Sequence, residues 1–132
     1  MCTYHKTSTR IISSFLSAFT IISLVGCKAE MENTVRNGFL DDCPTYTVEH
    51  LVNNYFESPE WESFIADDGN FYVNVSGGFI YDNEPANALL QFYVEGDRFE
   101  VNAFEINRTP QSDFLVFSLI ADMCDESLYF EE

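Results

Sequence analysis

Between Phe71 and Asn107 the chain alternates apolar and polar residues, and this period of two constrains the fold most. A strand sends successive side chains to opposite faces, so strict alternation predicts strands with one buried face. FYVNVSGGFIY (71–81) puts Phe71, Val73, Val75, Gly77, Phe79 and Tyr81 on one face and Tyr72, Asn74, Ser76 and Gly78 on the other. ANALLQFYVEG (86–96) repeats the pattern with Ala88, Leu90, Phe92 and Val94, and RFEVNAFEIN (98–107) with Phe99, Val101 and Ala103. Turn signals fall at Asp68-Gly69, at NEPA (83–86) and at Glu95-Gly96-Asp97. The pattern predicts a meander of three long antiparallel strands, with Trp61–Ala66 as a fourth and Pro110 ending the sheet. Gly77-Gly78 inside a strand reads as a bend or bulge.

Helical spacing flanks the sheet. Residues 28–38 are polar and lead into a short helix stopping near Gly38. Thr45 or Thr47 can cap a helix carrying Val48, Leu51, Val52, Tyr55 and Phe56, and Ser58-Pro59 breaks it. After Pro110, Phe114, Phe117, Leu119, Ile120, Met123 and Cys124 return to helical spacing. One apolar sheet face and two long amphipathic helices predict an α+β fold. Its form is a two-layer sandwich, with about four antiparallel strands and two helices on one face. Trp61 fits the gap between helix and sheet better than an exposed position.

The N-terminus reads differently. Residues 1–10 carry Lys6 and Arg10 and no acid, and residues 11–26 carry no charge. That run is shorter than the roughly 20 apolar residues that span a bilayer core, and it ends in small residues, as a secretory signal does. Leu24-Val25-Gly26-Cys27 resembles the lipobox of bacterial lipoproteins at all four positions. The resemblance implies diacylglyceryl transfer to the Cys27 sulfur, cleavage after Gly26 and acylation of the new N-terminus. The domain reading is then a signal peptide at 1–26, a lipidated N-terminus and tether at 27–38, and one domain at 39–132. The address is membrane-anchored, on the periplasmic face of the outer membrane in a Gram-negative cell.

Charge narrows the partner. The whole chain carries 22 acidic and 6 basic side chains, net −16. All the acids follow Cys27, so the chain from Cys27 onward has 4 − 22 = −18. Nucleic acid and anionic headgroups repel such a domain, and a basic protein complements it. The thiols left after lipidation, Cys43 and Cys124, form an even pair in an oxidising compartment and are expected to bridge.

Catalytic chemistry finds little support. His50 is the one histidine of the mature region, and it reads as a half-exposed helix residue. Asp67-Asp68-Gly69-Asn70 lacks the ligand order of a calcium loop and reads as a hairpin turn. No nucleophile elbow, phosphate loop or zinc-protease motif occurs, and no cofactor or metal is expected.

The region from Pro44 to Gln111 also resembles a family of small bacterial domains of unknown function. The likeness runs through Thr47-Val48, Tyr55-Phe56, Pro59-x-Trp61, Asp68-Gly69, Gly77-Gly78, Gln91-Phe92, Phe99-Glu100, Asn107 and Pro110-Gln111. It implies an α+β fold and no activity. The functional expectation is a non-enzymatic binding or accessory lipoprotein. The alternative is an acidic immunity or inhibitor lipoprotein that neutralises a basic toxin or hydrolase. The expected contact face is the polar, aromatic side of the sheet, with Tyr72, Tyr93 and Glu100 at its centre, beside Asn74, Gln91 and Asn102.

Overall fold

The computed structural model describes residues 17–129, so the positive segment with Lys6 and Arg10, and the first part of the apolar run, lie outside the described residues. The elements run α1 (Ser17–Arg36), β1 (Phe39–Leu40), β2 (Cys43–Thr47), α2 (Val48–Tyr55), β3 (Glu57–Ile65), β4 (Phe71–Tyr81), β5 (Glu84–Glu95), β6 (Arg98–Ile106), β7 (Thr109–Pro110) and α3 (Asp113–Tyr129). Strands β3 to β7 form one antiparallel sheet in chain order, and β1 and β2 form a separate hairpin. The fold is α+β. The sheet has five strands rather than four, because the chain does not leave it at Pro110. Asn107 (φ 50°) and Arg108 (φ 68°) make a tight turn that returns Thr109 and Pro110 against Ile106 and Glu105. Pro110 is tolerated there because the strand is at the sheet edge.

The inner face follows the alternation. Val73, Val75, Ala88, Leu90, Phe92 and Val94 are buried, and Phe99 and Val101 pack half-buried against them. Leu51 and Val52 of α2 and Leu119, Ile120 and Met123 of α3 cover that face. The segment read as a tether also contributes: Met31 and Val35 of α1 are buried in the same core. Each fully buried side chain of this size contributes about 1.5–3 kcal/mol.

Several local devices hold the layers in place. Thr47 caps α2, its hydroxyl accepting from His50 N at 3.2 Å, whereas residues 43–47 before it are extended. At the end of α2, Phe56 and Glu57 cross β4 at Gly77, where a Cβ would meet the Glu57 carbonyl and the Phe56 Cβ at 2.9 Å. The bend there sits on β3, whose register slips between Glu57 and Glu60, around Pro59. Gly38 ends α1 where any side chain would run into the Phe99 ring. Arg36 joins three elements. Its guanidinium bonds Glu32 at 2.8 Å, bonds Glu49 of α2, and lies 5.1 Å from the Trp61 ring centre. Those carboxylates, Glu49 foremost, raise the Arg36 pKa above its usual value.

Three expectations about element details are corrected. The β4–β5 turn is Asp82-Asn83, with φ 51° and 65°, and not residues 83–86. Pro85 stands within β5 opposite Ile80. The aromatic residues of α3 are not its buried stripe: Phe114 is 80% and Phe117 58% exposed, and the stripe runs through Val116, Leu119, Ile120 and Met123. Ala103 is not on the inner face. Val101 pairs with Phe92 but Ala103 pairs with Gln91, so Asn102 is an extra residue that reverses the strand's parity.

The Cys43–Cys124 bridge is formed, with Cα atoms 5.9 Å apart, and ties β2 to α3. Replacing both cysteines by Ala should cost about 2–4 kcal/mol of stability in urea unfolding. A double variant as stable as the wild type would show that the bridge adds nothing to the packed layers. A second outcome follows from Tyr55, half-buried between α2 and α3. Burial, then the charges of Glu126 and Asp122, push its phenol from 10.0 up to about 12. The unfolded chain releases this proton near pH 10, whereas the fold keeps it to about pH 12. The associated stabilisation is complete below pH 10 and is lost as pH rises toward 12. Tyr55→Phe should therefore lose stability less steeply than wild type across that window; equal slopes would contradict the assignment.

Candidate functional site

The outer face is built by the same registers that build the core. Phe64 of β3 stands opposite Tyr72 of β4, Tyr72 opposite Tyr93 of β5, and Tyr93 opposite Glu100 of β6. Four strands thus bring Phe64, Tyr72, Tyr93 and Glu100 into one cross-strand row. The Phe64 and Tyr72 rings stack with centroids 5.4 Å apart, and the Tyr72 and Tyr93 rings tilt at 5.8 Å. None of these residues belongs to the buried core cluster. The three expected contact residues Tyr72, Tyr93 and Glu100 therefore lie together.

Phe64 completes the row without having been singled out. Its signal was parity: with Trp61 facing inward, a residue three positions on faces outward. A second row runs beside the first, through Glu62, Asn74 and Gln91, where Asn102 Nδ2 donates to Gln91 Oε1 at 2.6 Å. At the bulge Asn102 and Ala103 both stand opposite Gln91, and Asn102 keeps this side-chain bond although the backbone pairing passes to Ala103.

Electrostatics give the row its character. Desolvation, then the charges of Glu95, Tyr72, Glu100 and Asp68, raise the Tyr93 phenol above its usual value. Glu95 and Glu100 line one hollow with Tyr93. Asp68 reaches this neighbourhood through the β3–β4 turn, where its carboxylate accepts from Asn70 N and Asn70 Nδ2, both at 3.0 Å. Gly69 (φ 87°) makes that turn, so the Asp67–Asn70 segment serves as the hairpin expected from sequence.

Comparisons with protein families, with characterised proteins and with solved structures find no match for this chain.

The other residues considered for chemistry are engaged structurally. His50 stacks on Tyr46 with centroids 4.6 Å apart, and Asn54 Nδ2 lies 3.0 Å from its Nε2. Among the described residues no cluster of three or more His, Cys, Asp or Glu is arranged to hold a metal ion. Cys27 lies within α1, half-buried and disulfide-bonded. No described helix is long and apolar enough to cross a membrane.

Aromatic contacts of this kind contribute about 0.5–1.5 kcal/mol beyond their buried area. A double-mutant cycle of Phe64→Ala with Tyr72→Ala, read by urea unfolding, should give a coupling of that order. Coupling indistinguishable from zero would mean that the rings do not stack in solution.

Proposed function

We propose that this chain is a bacterial envelope lipoprotein, anchored through Cys27, whose domain is a non-enzymatic binding module for a basic protein. The outer aromatic row Phe64–Tyr72–Tyr93 ending at Glu100 carries this reading. A sheet face with no role beyond hydration has no need of three aromatic rings in register. Tyrosines offer large contact area at low conformational cost, and carboxylates beside them select a cationic partner. The carboxylates of Asp41, Glu95 and Glu100, which share a hollow with Tyr93, also support the second reading, an immunity or inhibitor protein facing a basic hydrolase.

The anchor rests on Leu24-Val25-Gly26-Cys27. In a chain processed at Cys27, only Lys28, Ala29 and Glu30 are exposed before Met31 enters the core. Three residues span about 10 Å when extended, so the domain would sit close to the bilayer. Its charge of −18 would keep it off anionic headgroups. Lipid transfer requires a Cys27 thiol released from its disulfide, so lipidated and bridged chains are separate products with different masses.

One experiment tests both parts. Wild type, Cys27→Ala and the double variant Tyr72→Thr/Tyr93→Thr are expressed in cells fed a palmitate analogue, then fractionated and affinity-purified. Wild type should be labelled, stay with membranes and bring down a basic protein; Cys27→Ala should lose the label. The tyrosine variant should keep its label, melt only a few degrees lower through the lost ring contacts, and lose the partner. Equal labelling of wild type and Cys27→Ala would sink the anchor. A tyrosine variant that melts much lower yet keeps its partner would assign those rings to stability alone.

A further inference from the structure

Strand β6 is paired with β5 from Arg98 to Ile106 except at the Asn102 bulge, but on its other side β7 meets only Glu105 and Ile106. Gln111 N then donates to the Phe104 carbonyl at 2.9 Å, closing the pairing at that end. Arg98–Ala103 is left without a strand partner on that side among the described residues. An open edge of this length invites pairing with another chain, and folds usually blunt it with lysine, proline or a covering element. Here it is bordered instead by a cleft of about 400 Å³.

The cleft lies between the edge strand, the β1–β2 turn and α3. Its apolar part includes Phe99, Val116 and Ile120, with Phe39 and Phe117, 52% and 58% exposed, at the opening. Its polar part includes Asp41, Asp42, Glu100 and Asp113, and no basic residue lines it. A smaller hollow of about 340 Å³ shares Asp41, Phe99 and Glu100 with the cleft and reaches Tyr93. The edge therefore connects the cleft on one side to the outer aromatic row on the other.

We propose that the open β6 edge, Arg98–Ala103, takes up an extended basic segment of a partner protein as an added strand. Its apolar side chains would enter the cleft between β6 and α3. Strand addition divides the work this way: main-chain bonds supply affinity, and pockets for alternate side chains supply specificity. Every second side chain of the guest would turn into the cleft, and its neighbours would lie over Glu100 and Tyr93. Charge decides the guest. A second copy of this chain carries the same −16 and is repelled, whereas lysine or arginine between the apolar residues meets Asp41, Glu95 and Glu100 in the hollow beside Tyr93. This inference rests on the binding-module reading and specifies how its partner is held.

The probe is a short synthetic peptide of alternating lysine and phenylalanine, titrated against the full chain. Two control peptides carry a central proline, or glutamate for lysine. The lysine peptide should bind, and the amides of Phe99–Ala103 should gain protection from hydrogen exchange. The central proline, the glutamate peptide and the exposed-site variant Phe117→Ser should each weaken binding by about tenfold or more. Absence of binding to the wild type, or equal binding of the proline peptide without edge protection, would overturn the proposal. Natural-partner capture separates the two readings. If folded Phe117→Ser keeps the partner and Tyr72→Thr/Tyr93→Thr loses it, the edge proposal fails while the outer-face reading stands. The reverse result would uphold the edge and remove the outer face.

Discussion

A sheet whose strands alternate so regularly has one apolar face that must be kept from water, and everything else in this molecule follows from covering it. Val73, Val75, Leu90, Phe92 and Phe104 form that face, and the three helices close over it. The cover is fastened at few places. Gly77 admits the crossing of Phe56 and Glu57, Arg36 joins α1 to α2 and to Trp61, and Cys43–Cys124 ties β2 to α3. Because every helix in the described core lies on one side, the opposite face is free to carry the row from Phe64 to Glu100.

The strands and their inner residues were readable because alternation is a direct consequence of backbone geometry. Tyr72, Tyr93 and Glu100 were readable as a group for the same reason: once register is set, cross-strand neighbours are fixed. What was misread depended on single residues. In RFEVNAFEI the apolar positions move from odd, Phe99 and Val101, to even, Phe104 and Ile106. That change marks the bulge at Asn102, and strict alternation carried Ala103 to the wrong face. The turn expected at 83–86 includes Asn83 but starts one residue late, since Asp82 and Asn83 both take the positive φ that a tight hairpin needs. In α3 the largest apolar residues were read as the buried ones, whereas helix geometry turns Phe114 and Phe117 outward. The fifth strand was hidden because it is two residues long and ends in proline.

Those misread residues bear on the surface. Asn102 bonds Gln91 on the outer face at the bulge, and outward-turned Phe117 lines the cleft next to β6. An acidic chain gains solubility from its charge anywhere on the surface. Glu100, Tyr93 and Asp41 around one open strand edge bring carboxylates, aromatic area and unpaired backbone together, beside Arg98.

The central claim is that the face bearing Tyr72 and Tyr93 is open in the isolated protein and occupied in the cell. Hydroxyl-radical footprinting of the purified full chain and of the same chain in intact envelopes measures this directly. Tyr72 and Tyr93 should label readily in the purified protein while Phe92 and Phe104 stay protected, and the two tyrosines should become protected in the envelope. Phe114, 80% exposed on α3, should label in both states. Tyrosines as protected as Phe92 in the purified chain, or labelled equally in both settings, would contradict the account.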